Sequence, residues 1–162
     1  MCNRDTTACF TGHRSYNGCR DRELEAAIRE LYASGYRTFL GGMAMGFDLS
    51  AAEKVLALRD ELAGLRFVAV VPFEGMQRGF SESWRLRFEA VVAASDECIT
   101  LAPRYSAGVY AVRNNYLVDN SSAIIAYFMG EKGGTAYTVR RATKRLLRLI
   151  NIYNNPQLQL VL

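Results

Sequence analysis

Short apolar runs alternate with segments of helical period along nearly the whole chain, and this alternation restricts the fold more than any other feature. The runs are "TTACF" (6–10), "RTFLGG" (37–42), "RFVAVVPF" (66–73), "ECITL" (97–101) and "AIIAYFM" (123–129). Leu24, Ala27, Ile28 and Leu31 recur at helical spacing and stop at Ser34-Gly35. Leu49, Ala52, Val55, Leu56 and Leu62 define a second helix that Gly64 closes. Ser81 is placed to cap a third, which turns Trp84, Phe88, Val91 and Ser95 inward. After "GEKGGT" (130–135) a basic helix follows, with Val139, Thr143, Leu146, Leu147 and Ile150 on its inner face. The run at 66–73 is apolar on both faces, as a buried parallel strand requires. Strand followed by helix, repeated in this way, predicts a three-layer α/β sandwich with a mainly parallel sheet of at least five strands. No linker or repeat interrupts it, so residues 1–162 read as one domain. The tail "NNPQLQLVL" alternates and fits a short edge strand.

Composition narrows the setting. The apolar runs are too short to span a bilayer. "MCNRDTTACF" lacks the apolar core of a signal peptide. Cys2, Cys9, Cys19 and Cys98 have no CxxC spacing, and His13 is the one histidine. Reduced thiols in the cytoplasm, with no metal site and no membrane partner, are therefore expected. Charge is unevenly distributed. Residues 131–150 hold Lys132, Arg140, Arg141, Lys144, Arg145 and Arg148 against one acid, an excess larger than the net +4 of the chain. Such a segment suits a solvated helix face or an acidic partner.

In a parallel sheet the loops leaving the strands gather at one edge, where ligands bind. Here those loops are "TGHR" (11–14), "GGMAMGFD" (41–48), "PFEG" (72–75), "PRYSAGVYAVRN" (103–114) and "GEKGGT" (130–135). They supply the candidate ligand-binding residues Thr11, Gly12, His13, Arg14, Gly41, Gly42, Met43, Gly46, Asp48, Pro72, Glu74, Arg113, Asn114, Gly133, Gly134 and Thr135. Glycine-bearing loops that enter helices present free amides and a favourable dipole to an anion, so a phosphate or carboxylate is the expected ligand. Neither GxGxxG nor a P-loop is present, which disfavours a standard dinucleotide fold or an ATPase. Gly41, Gly42 and Gly46 admit either a ligand or a tight turn. His13 suits acid catalysis, phosphate binding or a loop-fixing hydrogen bond. Arg113-Asn114 can hold a phosphate and a base edge, or Arg113 can be buried against Asp119 or Glu74. Asp48 suits helix capping or ligand contact, Tyr137 stacking or packing, and Trp84 the core.

Taken together, "TGHR", "GGMAMGFDLSAAE", "VVPFEG", "Y…VRNNYLVDNS" and "GGTAYTVRRA" resemble the SLOG superfamily. That Rossmann-like group joins DNA-processing protein A (Smf) with the Lonely guy phosphoribohydrolases, and the likeness is closest to its YpsA-like branch. The motifs run in order from residue 8 to about residue 145. The resemblance implies a nucleotide-derived ligand and a bacterial sensor or regulator. The phosphoribohydrolases use an Arg, resembling Arg113, and a Glu in a "PGGxGTxxE" loop. Here Thr138 stands at the Glu position and the Pro-Gly is missing, so catalytic residues are not assignable. A threonine cannot serve as a carboxylate base or stabilise an oxocarbenium charge.

Three classes of function stay open: a sensor of a nucleotide or an ADP-ribose or NAD-like derivative, a phosphoribohydrolase-like enzyme, and a single-stranded DNA binder like Smf. The expected partner is a nucleotide-like small molecule. Weak nucleic-acid binding and a homo-oligomer are both compatible with the sequence, which names no cofactor.

Overall fold

The computed structural model describes residues 3–154. Six strands form one parallel sheet: β1 (Thr7–Gly12), β2 (Thr38–Gly41), β3 (Arg66–Val71), β4 (Glu97–Thr100), β5 (Ala123–Tyr127) and β6 (Arg148–Asn151). Their order is β4-β3-β2-β1-β5-β6, every neighbouring pair being parallel. The chain winds outward from β1 to β4, then crosses back to β5 on the other side of β1. The switch point therefore lies between β1 and β5, whose ends are in register at Gly12 and Tyr127.

Among the described residues five α-helices cover the sheet: α1 (Asp21–Ala33), α2 (Phe47–Leu58), α3 (Glu82–Ala94), α4 (Val109–Asp119) and α5 (Gly134–Lys144). Alternate strand residues feed two cores. Ala8, Phe10, Phe39, Phe67 and Ile125 pack with Leu24, Leu31, Phe47, Val55 and Phe88 from α1, α2 and α3. Cys9, Leu40, Val68, Val70 and Ile124 pack with Leu117, Val118 and Ala142 from α4 and α5. Both faces of the central strands are thus dry, which explains their near-continuous apolar sequence. Each fully buried Phe contributes about 1.5–3 kcal/mol by leaving water. The expected three-layer sandwich is present, with β6 as an additional parallel edge strand.

Three local expectations need correction. The second helix ends at Leu58 rather than running on to Leu62, which packs from the following turn. The loop expected at 103–114 gives way at Val109 to α4, whose buried positions are Val109, Arg113, Leu117 and Val118. A charged residue in the middle of that buried face hides the apolar period. The basic helix stops at Lys144, and residues 148–151 are strand. Its buried face is Thr135, Ala136, Thr138 and Ala142, while Thr143 and Leu146 are exposed. The expected edge strand in the tail falls on residues 154–162, and its positions from 155 onward lie outside the described residues.

The stop after α5 has a local cause. Leu146 takes φ 61°, its amide donates to Thr143 at 3.1 Å, and the Leu147 amide donates to Ala142 at 3.0 Å. Those two bonds form a Schellman motif, and buried Leu147 belongs to the same apolar cluster as Ala142. The left-handed residue in such a motif is usually glycine, so nothing in the sequence announces the end. Arg148 then bonds Glu30 at 2.9 Å and Ser34 at 3.1 Å, tying β6 to α1.

Leucine in the left-handed region carries roughly 1–2 kcal/mol of strain, and glycine's extra chain entropy offsets about half of it. Leu146 is 89% exposed, so its side chain contributes little burial. Leu146→Gly should therefore stabilise the protein by about 0.5–1 kcal/mol, read as a higher urea midpoint with an unchanged slope.

Candidate functional site

The loops after β1, β2, β3 and β5 and the start of α4 surround a cleft of about 770 Å³ at the C-terminal edge of the sheet. It opens at the switch point between β1 and β5. Thr11, Gly12, His13 and Arg14 line it from β1, and Ala44, Met45 and Asp48 from the loop into α2. Met76, Gly79 and Phe80 follow β3, Tyr110, Arg113 and Asn114 lie on α4, and Lys132, Gly134 and Thr135 lead into α5.

Within the glycine-rich loop, each absent side chain is matched by an atom of the protein itself. A Cβ on Gly41 would lie 2.5 Å from the Phe67 ring, and one on Gly42 2.8 Å from the Arg113 guanidinium. At Gly46 a Cβ would come within 2.3 Å of the Arg14 backbone, and φ 81°, ψ −122° is a glycine conformation. Gly12 likewise makes room for the Phe47 ring. Met43 holds the turn at φ 68° with its side chain fully buried in the core. The loop is therefore shaped first by the chain packed around it, and Ala44, Met45 and Asp48 are its residues on the cleft.

Arg113 is the central cation. It is 6% exposed; its Nη1 donates to the Gly42 carbonyl, and its Nε donates to Asn114 Oδ1 at 2.8 Å. Neither Asp119 nor Glu74 pairs with it: Asp119 pairs with Arg141 and Arg145, and Glu74 is exposed beyond β3. Burial lowers the Arg113 basicity, and the nearby Asp48 charge opposes that effect. Among the described residues Asp48 is the one carboxylate lining the cleft, 7% exposed, and it accepts the Ala44 amide at 3.3 Å. Its pKa is raised by burial, against the opposing influence of Arg113, the Ala44 amide and Arg14. The two buried groups compensate one another across the α2–α4 gap.

Other candidates divide clearly. His13 Nε2 contacts the Glu131 carboxylate, off the line of a hydrogen bond, and so brings the β1 and β5 loops together. Arg14 and Lys132 are exposed, line the cleft and form no ion pair among the described residues. Gly134 and Thr135 present the first turn of α5, which Gly133 enters at φ 134° with no side-chain cap. Pro72 is buried at the end of β3, outside the lining. Thr138 is fully buried, and its hydroxyl donates to the Gly134 carbonyl at 2.9 Å. Tyr137 donates to Asn115 at 2.7 Å. Sequence reasoning missed Tyr110 and Lys132 although both fall inside loops it singled out. Met76 and Phe80 carried no signal, because their place depends on how the chain turns after β3.

Two paired stability comparisons test these contacts. Gly108 has φ 83° with open space around it, so Gly108→Ala should cost only about 1–2 kcal/mol. Gly46→Ala adds a backbone clash and should exceed that by at least about 2 kcal/mol in urea denaturation. Arg113→Ala leaves the Gly42 carbonyl and Asp48 uncompensated and should cost about 3–5 kcal/mol. Arg14→Ala, at an exposed position, should stay within about 0.5 kcal/mol of wild type.

Comparison with known proteins agrees with this architecture. Residues 9–154 match the YpsA family model, described as the YspA SLOG family. A UPF0398 protein of Bacillus velezensis is 28% identical over 127 residues, covering 76% of this chain and 70% of the relative. The SPbeta prophage-derived protein YoqJ of Bacillus subtilis is 27% identical over 139 residues, covering 77% and 81%. Among solved structures, DNA processing protein A of Streptococcus pneumoniae superposes with a TM-score of 0.67 at 16% identity, over 90% of this chain. The Helicobacter pylori protein of that name, which binds single-stranded DNA, gives 0.65 at 18% identity, again over 90% of this chain. The chain spans 49% and 64% of those two proteins, so the likeness is one of fold. With the match covering nearly its whole length, the chain belongs to the YpsA family of SLOG proteins.

Proposed function

We propose that this protein binds a nucleotide or nucleotide derivative, of the ADP-ribose or NAD-like kind, in the switch-point cleft and acts as a sensor or regulator. The observation that carries the reading is that Arg14, Lys132 and the uncapped start of α5 all line the one cleft. Two exposed cations that form no ion pair among the described residues, with the uncapped amides of a helix N-terminus, favour a phosphate there. Binding without glycosidic cleavage fits the chemistry. Thr138 is buried with its hydroxyl bonded inside α5, and Asp48 is held by Ala44 and faces the Arg113 charge. Among the described residues, no carboxylate lining the cleft is left unengaged to act on an anomeric carbon.

Single-stranded DNA binding has equal support from a separate observation. Arg14, Arg78, Arg104 and Lys132 all lie in loops of the same sheet edge and enter no ion pair among the described residues. The Helicobacter pylori protein with this fold binds single-stranded DNA. In that case the cleft holds one nucleotide of a strand, and the edge cations track its backbone.

Thermal melting with AMP, ADP-ribose, NAD, adenosine and a short oligodeoxynucleotide separates these readings. A ligand at 100 times its Kd stabilises the fold by ~2.7 kcal/mol. Phosphorylated ligands should shift the melt and adenosine should not, with the shift lost in Arg14→Ala/Lys132→Ala. Oligonucleotide binding that outcompetes AMP and falls steeply with salt would assign the site to a strand. No shift with any of these ligands would refute nucleotide binding.

A further inference from the structure

We infer that Phe73, Tyr105 and Tyr110 form a stacking subsite for a nucleobase, placed beside the phosphate wall of the cleft. The inference rests on the nucleotide reading above and adds to it where the base lies and which residues hold it.

The three rings touch one another: Phe73 and Tyr105 centroids are 5.6 Å apart, Phe73 and Tyr110 6.1 Å, and Tyr105 and Tyr110 6.3 Å. Despite this contact, Tyr105 remains 62% exposed and Tyr110 37%. Folding therefore draws little burial from them, and neither hydroxyl forms a hydrogen bond among the described residues. Exposed aromatic clusters of this kind mark binding surfaces. Tyr110 joins the cluster to the cleft because it lines the cleft while touching both other rings. The Arg113 guanidinium lies 5.8 Å from the Tyr110 ring centroid, within cation–π range.

Topology places this cluster at a useful distance from the phosphate wall. Phe73 follows β3, two strand positions from β1, whose loop carries Arg14. Two strand spacings amount to about 10 Å, a span that a nucleoside phosphate bridges. Glu74 next to Phe73 and Arg104 next to Tyr105 are both exposed, so charge at the aromatic end is mixed, whereas Arg14 and Lys132 line the cleft itself. Aromatic faces take any base, so the subsite serves a free nucleotide or one residue of a single strand.

The test is fluorescence or calorimetric titration of wild type, Tyr105→Ala and Tyr105→Phe with AMP, ribose 5-phosphate and oligodeoxythymidylate. Retained melting temperatures show that the variants fold. Wild type should bind AMP more tightly than ribose 5-phosphate. Tyr105→Ala should lower base-containing affinity roughly 5- to 150-fold, the effect of losing one stacked ring. The same variant should leave ribose 5-phosphate unaffected, and Tyr105→Phe should bind like wild type. If the oligonucleotide binds better than AMP, the base comes from a strand, and if worse, from a free nucleotide. Equal affinity for AMP and ribose 5-phosphate, or unchanged AMP and oligonucleotide binding in Tyr105→Ala, overturns the stacking subsite alone. Failure of every probe to bind wild type overturns the nucleotide reading and this inference with it.

Discussion

The Arg113 guanidinium crosses from α4 to the loop after β2 and donates to the Gly42 carbonyl, and the cleft takes its shape from that contact. A cation this deeply buried survives only if its hydrogen-bonding and charge are both answered. Gly42 supplies an oxygen, Asn114 a second, and Asp48 the compensating charge. The requirement propagates outward. Gly42 must lack a side chain because Arg113 occupies its place, and Met43 takes a left-handed turn directly after it. Gly46 lets the start of α2 close on the β1 loop, so the loops after β1 and β2 are locked to each other and, through Arg113, to α4.

That locking divides the cleft into walls of different character. The glycine loop and α4 make a rigid wall in which the buried charges are already satisfied. Arg14, Lys132 and the first turn of α5 add exposed charge and uncapped amides to the lining of the same cleft. The rim beyond β3 and β4 is aromatic. Because the loops around the cleft depart from adjacent parallel strands, these chemically distinct surfaces are brought within one ligand length.

The basic segment near the C-terminus has a different role from the one its charge alone suggests. Arg141 and Arg145 share Asp119, and Arg148 reaches Glu30 from a strand rather than from the helix. Half of that cluster thus fastens α5 and β6 to the rest of the molecule. Partly exposed ion pairs of this sort contribute little stability individually. They do remove charge from what any acidic partner could meet.

Much of this architecture is determined by local sequence. Alternating apolar runs and helical periods suffice for a parallel sheet with helices on both faces, since each run must be buried on two sides and each helix on one. The same order puts Thr11–Arg14, the glycine loop, Arg113-Asn114 and Gly134-Thr135 at a common edge. What sequence could not decide is whom these residues face. Gly41 answers to Phe67, Gly42 to Arg113 and Gly46 to the Arg14 backbone, contacts between segments far apart in the chain. The helical face of α4 was hidden because its central buried residue is an arginine. The end of α5 was hidden because Leu146 takes a conformation normally left to glycine. Composition and spacing record local preference and burial, whereas the partner of a buried charge is settled only when distant segments compete for the same space.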